Sequence, residues 1–123
     1  MGLAAKLDAC ADLRLTDPLG YLDFVALMAS ARVVLTDSGG VQEETTVLGV
    51  PCLTLRTTTE RPVTITEGTN RLVDPSSPDA ILAALDEALA APRPNGRRPA
   101  LWDGAAGARL VADVAAWAAA RDS

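Results

Sequence analysis

A chain of 123 residues, 49% of them hydrophobic, is long enough to bury one core and too apolar to stay disordered. Its net charge of −5 argues against nucleic acid, whose phosphates attract basic surfaces. No apolar run is long enough to span a bilayer and no signal peptide is evident, and two isolated cysteines outside any metal spacing point to a reducing cytoplasm.

Only Tyr21, Phe24, Trp102 and Trp117 are aromatic, so alanine, valine and leucine must fill most of the core. There is no histidine, which limits the acid–base chemistry on offer. The charge is −7 over residues 1–90 and +2 over 91–123. In the second stretch Arg93, Arg97 and Arg98 lie among Pro, Gly and Asn and read as a solvated linker.

Along the chain, short apolar runs alternate with helical patterns, which predicts a parallel α/β sheet with helices on its faces. Residues 3–10 can end a helix, and Asp12–Leu15 is a weak strand candidate. Asp17-Pro18 predicts a helix start, a capping carboxylate followed by proline in the first turn. That helix carries two adjoining apolar stripes, Leu22, Val25, Ala29 and Phe24, Leu27, Met28, Ala31. Val33–Thr36 reads as a strand covered on both faces, being apolar without alternation. Val41–Leu48 is the next helix, ended by Gly49, and Cys52–Leu55 a second buried strand. Residues 56–69 are polar and threonine-rich, with a short helix near Pro62–Glu67, and Asn70–Val73 reads as an edge strand. Ser77-Pro78 starts a helix with Ile81, Leu82, Leu85 and Leu89 on one face. Leu110, Val111, Val114 and Trp117 mark a terminal amphipathic helix. The expectation is about four strands and five helices.

The informative segment is Thr36-Asp37-Ser38-Gly39-Gly40-Val41-Gln42-Glu43-Glu44, where a strand ends in a glycine pair and a helix begins at once. Ligands of open α/β sheets gather at the carboxyl ends of strands. A helix amino terminus there offers unpaired N–H groups and partial positive charge, which suit a phosphate. Gly39 and Gly40 let a ligand approach the backbone, and Ser38 can add a hydroxyl; a purely structural tight turn uses the same residues. Asp-Ser-Gly-Gly also matches the nucleophile segment of trypsin-like proteases, but without histidine to take the serine proton that chemistry is excluded.

Residues 17–73 resemble the carboxy-terminal domain of the non-hydrolysing bacterial UDP-N-acetylglucosamine 2-epimerases. The resemblance runs through Asp17-Pro18-Leu19-Gly20-Tyr21-Leu22-Asp23-Phe24, Leu35–Glu44, Leu48-Gly49-Val50-Pro51, Leu55–Pro62 and Glu67–Val73, in order and with family-like spacing. It implies part of a GT-B fold, two Rossmann-like domains facing across a cleft, of which the carboxy-terminal one holds UDP. Carried over by position, Ser38, Gly39 and Gly40 would meet the diphosphate and Glu44 the ribose hydroxyls. Phe24 would sit beside the uracil, and Arg61 would contact the substrate. The plain alternatives are core for Phe24, a solvated helix face for Glu43 and Glu44, and a pair with Glu60 for Arg61; Arg56 reads as structural. Where many members offer glutamine to the uracil, this chain has Leu19 or Gly20.

The expected organisation is a Rossmann-like UDP-binding part over 1–90, a linker over 91–104 and a terminal helix over 105–121. In the family the acidic catalytic residues come from the amino-terminal domain and a histidine lies early in the carboxy-terminal one, so no catalytic residue is assigned here. No metal or cofactor is expected. Two strands that the family sets between the counterparts of Asp12–Leu15 and Val33–Thr36 have no match. The gap would be closed by Asp12–Leu15 itself, by a second copy in a homodimer, or by a separate amino-terminal-half polypeptide. The alternative functions are the donor-nucleotide half of a GT-B glycosyltransferase and a non-catalytic relic module.

Overall fold

Three of the apolar runs become parallel strands, β1 (Val34–Thr36), β2 (Cys52–Leu55) and β3 (Asn70–Val73), in the order β1-β2-β3. The computed structural model describes residues 2–94 and 98–121. Its helices are α1 (Leu3–Asp8), α2 (Tyr21–Ser30), α3 (Gly39–Leu48), α4 (Val63–Thr66), α5 (Pro78–Ala90) and α6 (Ala106–Arg121). The register pairs Val34 with Cys52 and Cys52 with Asn70, so the Cα ladder runs without a bulge through Leu55 and Val73.

Side chains alternate across a strand, and the two faces of this sheet differ. Leu53, Leu55 and Val73 face α5, where Ala80, Ile81, Ala84, Leu85 and Ala88 complete an apolar core. Cys52, Thr54 and Asn70 point the other way, towards α3, which buries Gln42, Thr45 and Thr46. Among the described residues, five of the six buried polar ones, Gln42, Thr45, Thr46, Thr54 and Thr64, are fully enclosed. That face is held by directed hydrogen bonds more than by oily contact.

Local signals set most boundaries. Ser77 Oγ accepts the Ala80 N–H at 3.2 Å with Pro78 in the first turn, as its sequence predicts for α5. Gly49 ends α3 with φ 68°, its N–H and that of Val50 reaching back to Thr46 and Thr45 carbonyls.

Four expectations are corrected. Asp12–Leu15 forms no strand: Leu13 and Leu15 are exposed, and the Leu13 N–H turns back to the Cys10 carbonyl. The sheet therefore has three strands among the described residues, and closure by that segment does not occur. β1 is an edge, and Leu35 is 40% exposed where a strand covered on both faces was expected. Helix α2 starts at Tyr21 after an extended Gly20 (φ −62°, ψ 157°): Pro18 and Leu19 lie outside any regular element, and no side chain caps the start of the helix. On α5 the packed side is centred on Ala84, while Leu82 and Leu89 are exposed.

The basic stretch is not wholly a solvated linker. Arg93 Nη2 donates to the carbonyls of Ala29 at 2.9 Å and Ala31 at 2.7 Å, capping the end of α2. Arg32 Nη2 does the same for Leu89 near the end of α5, at 2.7 Å. Arg98 is exposed, and Arg97 lies outside the described residues. None of the residues of α6 is buried; Leu110, Val111, Val114 and Trp117 are all exposed, with Arg121 stacked 4.8 Å from the Trp117 ring centroid. Among the described residues no helix is long and apolar enough to cross a membrane.

Candidate functional site

At the carboxyl end of β1 the chain turns through Asp37 and Ser38 and enters α3 at Gly39. Ser38 is the N-cap residue by backbone conformation, but its side chain caps nothing; its own N–H donates to Thr36 Oγ1 at 3.0 Å. First-turn N–H groups have no partner within a helix, so the uncapped first turn offers donors beside Ser38 Oγ. Gly40 is exposed and Gly39 half-buried.

What half-buries Gly39 is Arg61. Its guanidinium lies against the backbone there, and a Cβ built on Gly39 would stand 2.5 Å from Nη1 and 2.9 Å from Cζ. The arginine also ties into an acidic cluster, with Nε 3.1 Å from Glu43 Oε2 and Nη1 3.7 Å from Glu60 Oε2. Nε is buried yet makes no directed hydrogen bond, so the contact to Glu43 is one of charge and proximity. Arg56 grips Glu60 with both terminal nitrogens, at 3.2 and 2.9 Å. The Glu60 carboxyl is held below its ordinary value first by its own backbone N–H and then by Arg56, with a smaller push from Arg61. Arg61 therefore pairs with Glu60, as its plain alternative expects, while the side chain that mainly holds Glu60 is Arg56.

Glu44 and Phe24 line different grooves. Glu44, half-buried, lies with Glu43, Val47 and Leu48 opposite Tyr21 and Val25, in a groove of about 260 Å³ between α2 and α3. Phe24, 38% exposed, lies with Leu27, Met28 and Ala31 against Val33–Thr36, in a groove of about 240 Å³ that reaches Val41 in the first turn of α3. Ser38, Gly39, Gly40 and Arg61 are thus brought together, whereas Phe24 and Glu44 line two separate grooves beside α2. Another depression, lined by Pro51, Thr69, Arg71 and Glu87, opens at the amino ends of β2 and β3, away from the glycine turn.

Sequence reasoning passed over the support beneath this site. Gln42 Oε1 accepts from Asn70 Nδ2 at 3.0 Å and from Thr59 Oγ1 at 2.7 Å, and Gln42 Nε2 donates to the Ser38 carbonyl at 3.3 Å. Asn70 Nδ2 also donates to Thr64 Oγ1 at 3.1 Å, while its Oδ1 accepts from Thr54 at 2.6 Å. The available signal was the spacing of Gln42, Thr45 and Thr46, a polar stripe at i, i+3, i+4 on the side of α3 that must face the sheet.

A parallel sheet flanked by helices, with a glycine turn at a strand's carboxyl end, defines a Rossmann-like α/β domain. The family model for UDP-N-acetylglucosamine 2-epimerase matches residues 2–115, and the chain belongs to that family. UDP-N-acetylglucosamine 2-epimerase of Methanocaldococcus jannaschii is 42% identical over 106 residues, covering 86% of this chain and 28% of the relative. A probable UDP-N-acetylglucosamine 2-epimerase of Ralstonia solanacearum is 42% identical over 114 residues, covering 90% and 30%. Among solved structures, the M. jannaschii epimerase in complex with UDP-GlcNAc and UDP superposes with a TM-score of 0.79 at 40% identity, over 92% of this chain and 30% of that one. The Neisseria meningitidis epimerase bound to UDP-GlcNAc gives 0.66 at 32% identity, over 88% and 30%. The chain therefore spans less than a third of the length of these relatives.

Proposed function

We propose that this segment grips the UDP part of UDP-N-acetylglucosamine and of its C2 epimer UDP-N-acetylmannosamine, while the acid and base of the epimerisation come from residues outside it. The observation that carries the reading is the Arg61 guanidinium against Gly39, at the uncapped start of α3. Ser38, Gly39 and Gly40 bind the diphosphate, and Arg61 supplies the cation, a forked donor suited to phosphate oxygens. Glu44 accepts from the ribose hydroxyls and Phe24 lies along the uracil. The complexes of the two structural relatives with UDP-GlcNAc support this reading, and membership of an epimerase family leaves the glycosyltransferase alternative without support.

In this reading the unpaired edge of β1 and the apolar stripe of α6 are covered by a second copy or by a separate polypeptide, since an open strand edge invites pairing. The free thiols Cys10 and Cys52 fit a reducing cytoplasm.

Calorimetric titration of UDP tests the assignment. A dissociation constant of about 0.1–1 mM is expected, because part of the cleft wall is provided elsewhere and water competes for the polar contacts. Gly39→Val should abolish the binding. Equal affinity in Gly39→Val would mean that the cradle is somewhere else.

A further inference from the structure

The backbone of Arg61 is held at both ends by threonine hydroxyls. Its N–H donates to Thr59 Oγ1 at 3.0 Å, and its carbonyl accepts from Thr64 Oγ1 at 2.8 Å. Each hydroxyl is in turn fixed by one buried amide: Thr59 donates to Gln42 Oε1, and Thr64 accepts from Asn70 Nδ2. The two amides meet each other through Asn70 Nδ2 and Gln42 Oε1. The far end of Gln42 donates to the Ser38 carbonyl, the residue that opens the glycine turn.

The donors and acceptors fit in only one sense. The Thr59 hydroxyl has one hydrogen, which goes to Gln42, so its lone pair is left for the Arg61 N–H. Asn70 Nδ2 has two hydrogens and uses both, while its Oδ1 takes the Thr54 hydrogen. Flipping Gln42 would set its NH2 against that of Asn70, and flipping Asn70 would set its oxygen against that of Gln42. Gln42 is 0% and Asn70 5% exposed, so water cannot replace a lost partner.

We infer that Gln42 and Asn70 are positioning residues, which through Thr59 and Thr64 set Arg61 against the Ser38–Gly40 turn and fix the two halves of the site relative to each other. The four relay side chains act through Arg61 and the Ser38 carbonyl. Their effect is to keep the guanidinium over Gly39 before any anion arrives, so that binding does not first have to order a loop. For its ligand this inference rests on the nucleotide reading given above; for its geometry it does not.

The test uses the chain itself and two substitutions at Thr59, a half-buried loop residue whose replacement spares the core. Thr59→Val keeps the shape and removes the hydroxyl; Thr59→Ser keeps the hydroxyl and removes the methyl. In the parent, the Arg61 side-chain Nε–H resonance should stand apart from that of free arginine. In Thr59→Val it should collapse to the free value, and in Thr59→Ser it should return. UDP affinity should follow, falling roughly fivefold in Thr59→Val and recovering in Thr59→Ser, with uridine binding unmoved. A packing role predicts the reverse order of the two variants and would overturn the inference, as would an unchanged resonance in Thr59→Val. The parent also gives a measurement that needs no substitution: the Arg61 backbone N–H should exchange with solvent about tenfold more slowly than those of Thr57 and Thr58. Exchange at the same rate overturns the inference. If the parent binds UDP no better than uridine, the nucleotide reading fails alone, and the resonance and exchange data still decide the positioning.

Discussion

Arg61 occupies the space that a side chain on Gly39 would need: its Nη1 lies 2.5 Å from where that Cβ would stand. The obstacle is the far end of a flexible side chain, so it can be moved without disturbing the sheet. Gly39→Ala should therefore keep the fold and, since alanine is the better helix former, gain up to about 1 kcal/mol of stability. The same change should push the guanidinium off the turn and weaken UDP binding. Urea unfolding and calorimetry on one sample read both effects. A variant that is more stable and binds as before would show that Arg61 contributes nothing over Gly39.

Gly68 gives the opposite outcome. A Cβ there would stand 2.5 Å from the Thr64 carbonyl oxygen, 2.6 Å from Thr46 Oγ1 and 2.7 Å from Thr46 Cγ2. Backbone and a fully buried threonine cannot step aside. Gly68→Ala should lose about 1–3 kcal/mol, as overpacking does, read as a lower urea midpoint at unchanged slope. A midpoint equal to the parent's would show that the α3–α4 contact is looser than described.

Acid should weaken the fold through exposed carboxylates. Asp103 is held below its ordinary value first by Arg109, Asp74 first by the Ser76 hydroxyl, and Glu60 first by its own backbone N–H. A carboxylate lowered in the folded state contributes stability above its unfolded value, and loses it as pH falls through the folded one. The urea midpoint should hold steady near neutrality and decline below about pH 4. Glu60→Gln should make that decline shallower; an identical acid limb would remove Glu60 from the explanation.

The two thiols should part company. Cys10 is exposed, whereas burial pushes the Cys52 thiol up, against weaker lowering by its hydrogen bonds to Thr45 and Thr54. Iodoacetamide near pH 7 should alkylate Cys10 and spare Cys52 until urea opens the sheet, as mass spectrometry will resolve. A raised thiol favours the folded state below its unfolded value, and that advantage is lost as pH rises towards the folded one. The fold should weaken in alkali, and Cys52→Ser should reduce that loss. Equal labelling of both thiols in the folded chain would place Cys52 nearer solvent than the sheet allows.

Signals within a few residues were legible in advance. Ser77-Pro78, Gly49 and the run from Thr36 into the glycine pair each encode their own geometry, and the structure follows them. Asp12–Leu15 misled because a strand needs a neighbour, and nothing in its own residues tells whether one stands beside it. Asp17-Pro18 misled because a good helix start was followed by Gly20, which keeps the chain extended until Tyr21. The threonines between residues 56 and 69 read only as a polar stretch around a short helix, since hydroxyls look polar whether they face water or a buried amide. Gln42 stands 17 residues from its partner Thr59, and Asn70, though six from Thr64, lies on a strand rather than in the threonine stretch, so only the fold could join them. The approach of Arg61 to Gly39 is hidden for the same reason.

The unlike faces of the sheet have a consequence for how this sequence can drift. On the α5 side, Leu53, Val73 and Ala84 meet by volume alone, and many apolar combinations fill the same space. On the α3 side donors and acceptors are matched to one another, so a change at Gln42, Asn70, Thr54 or Thr64 must be matched by another or leave a buried group unsatisfied. Substitutions should therefore accumulate one at a time beneath α5 and only in concert beneath α3. The two sides of one thin sheet would then record ancestry at different rates, with the slower clock lying under the glycine turn.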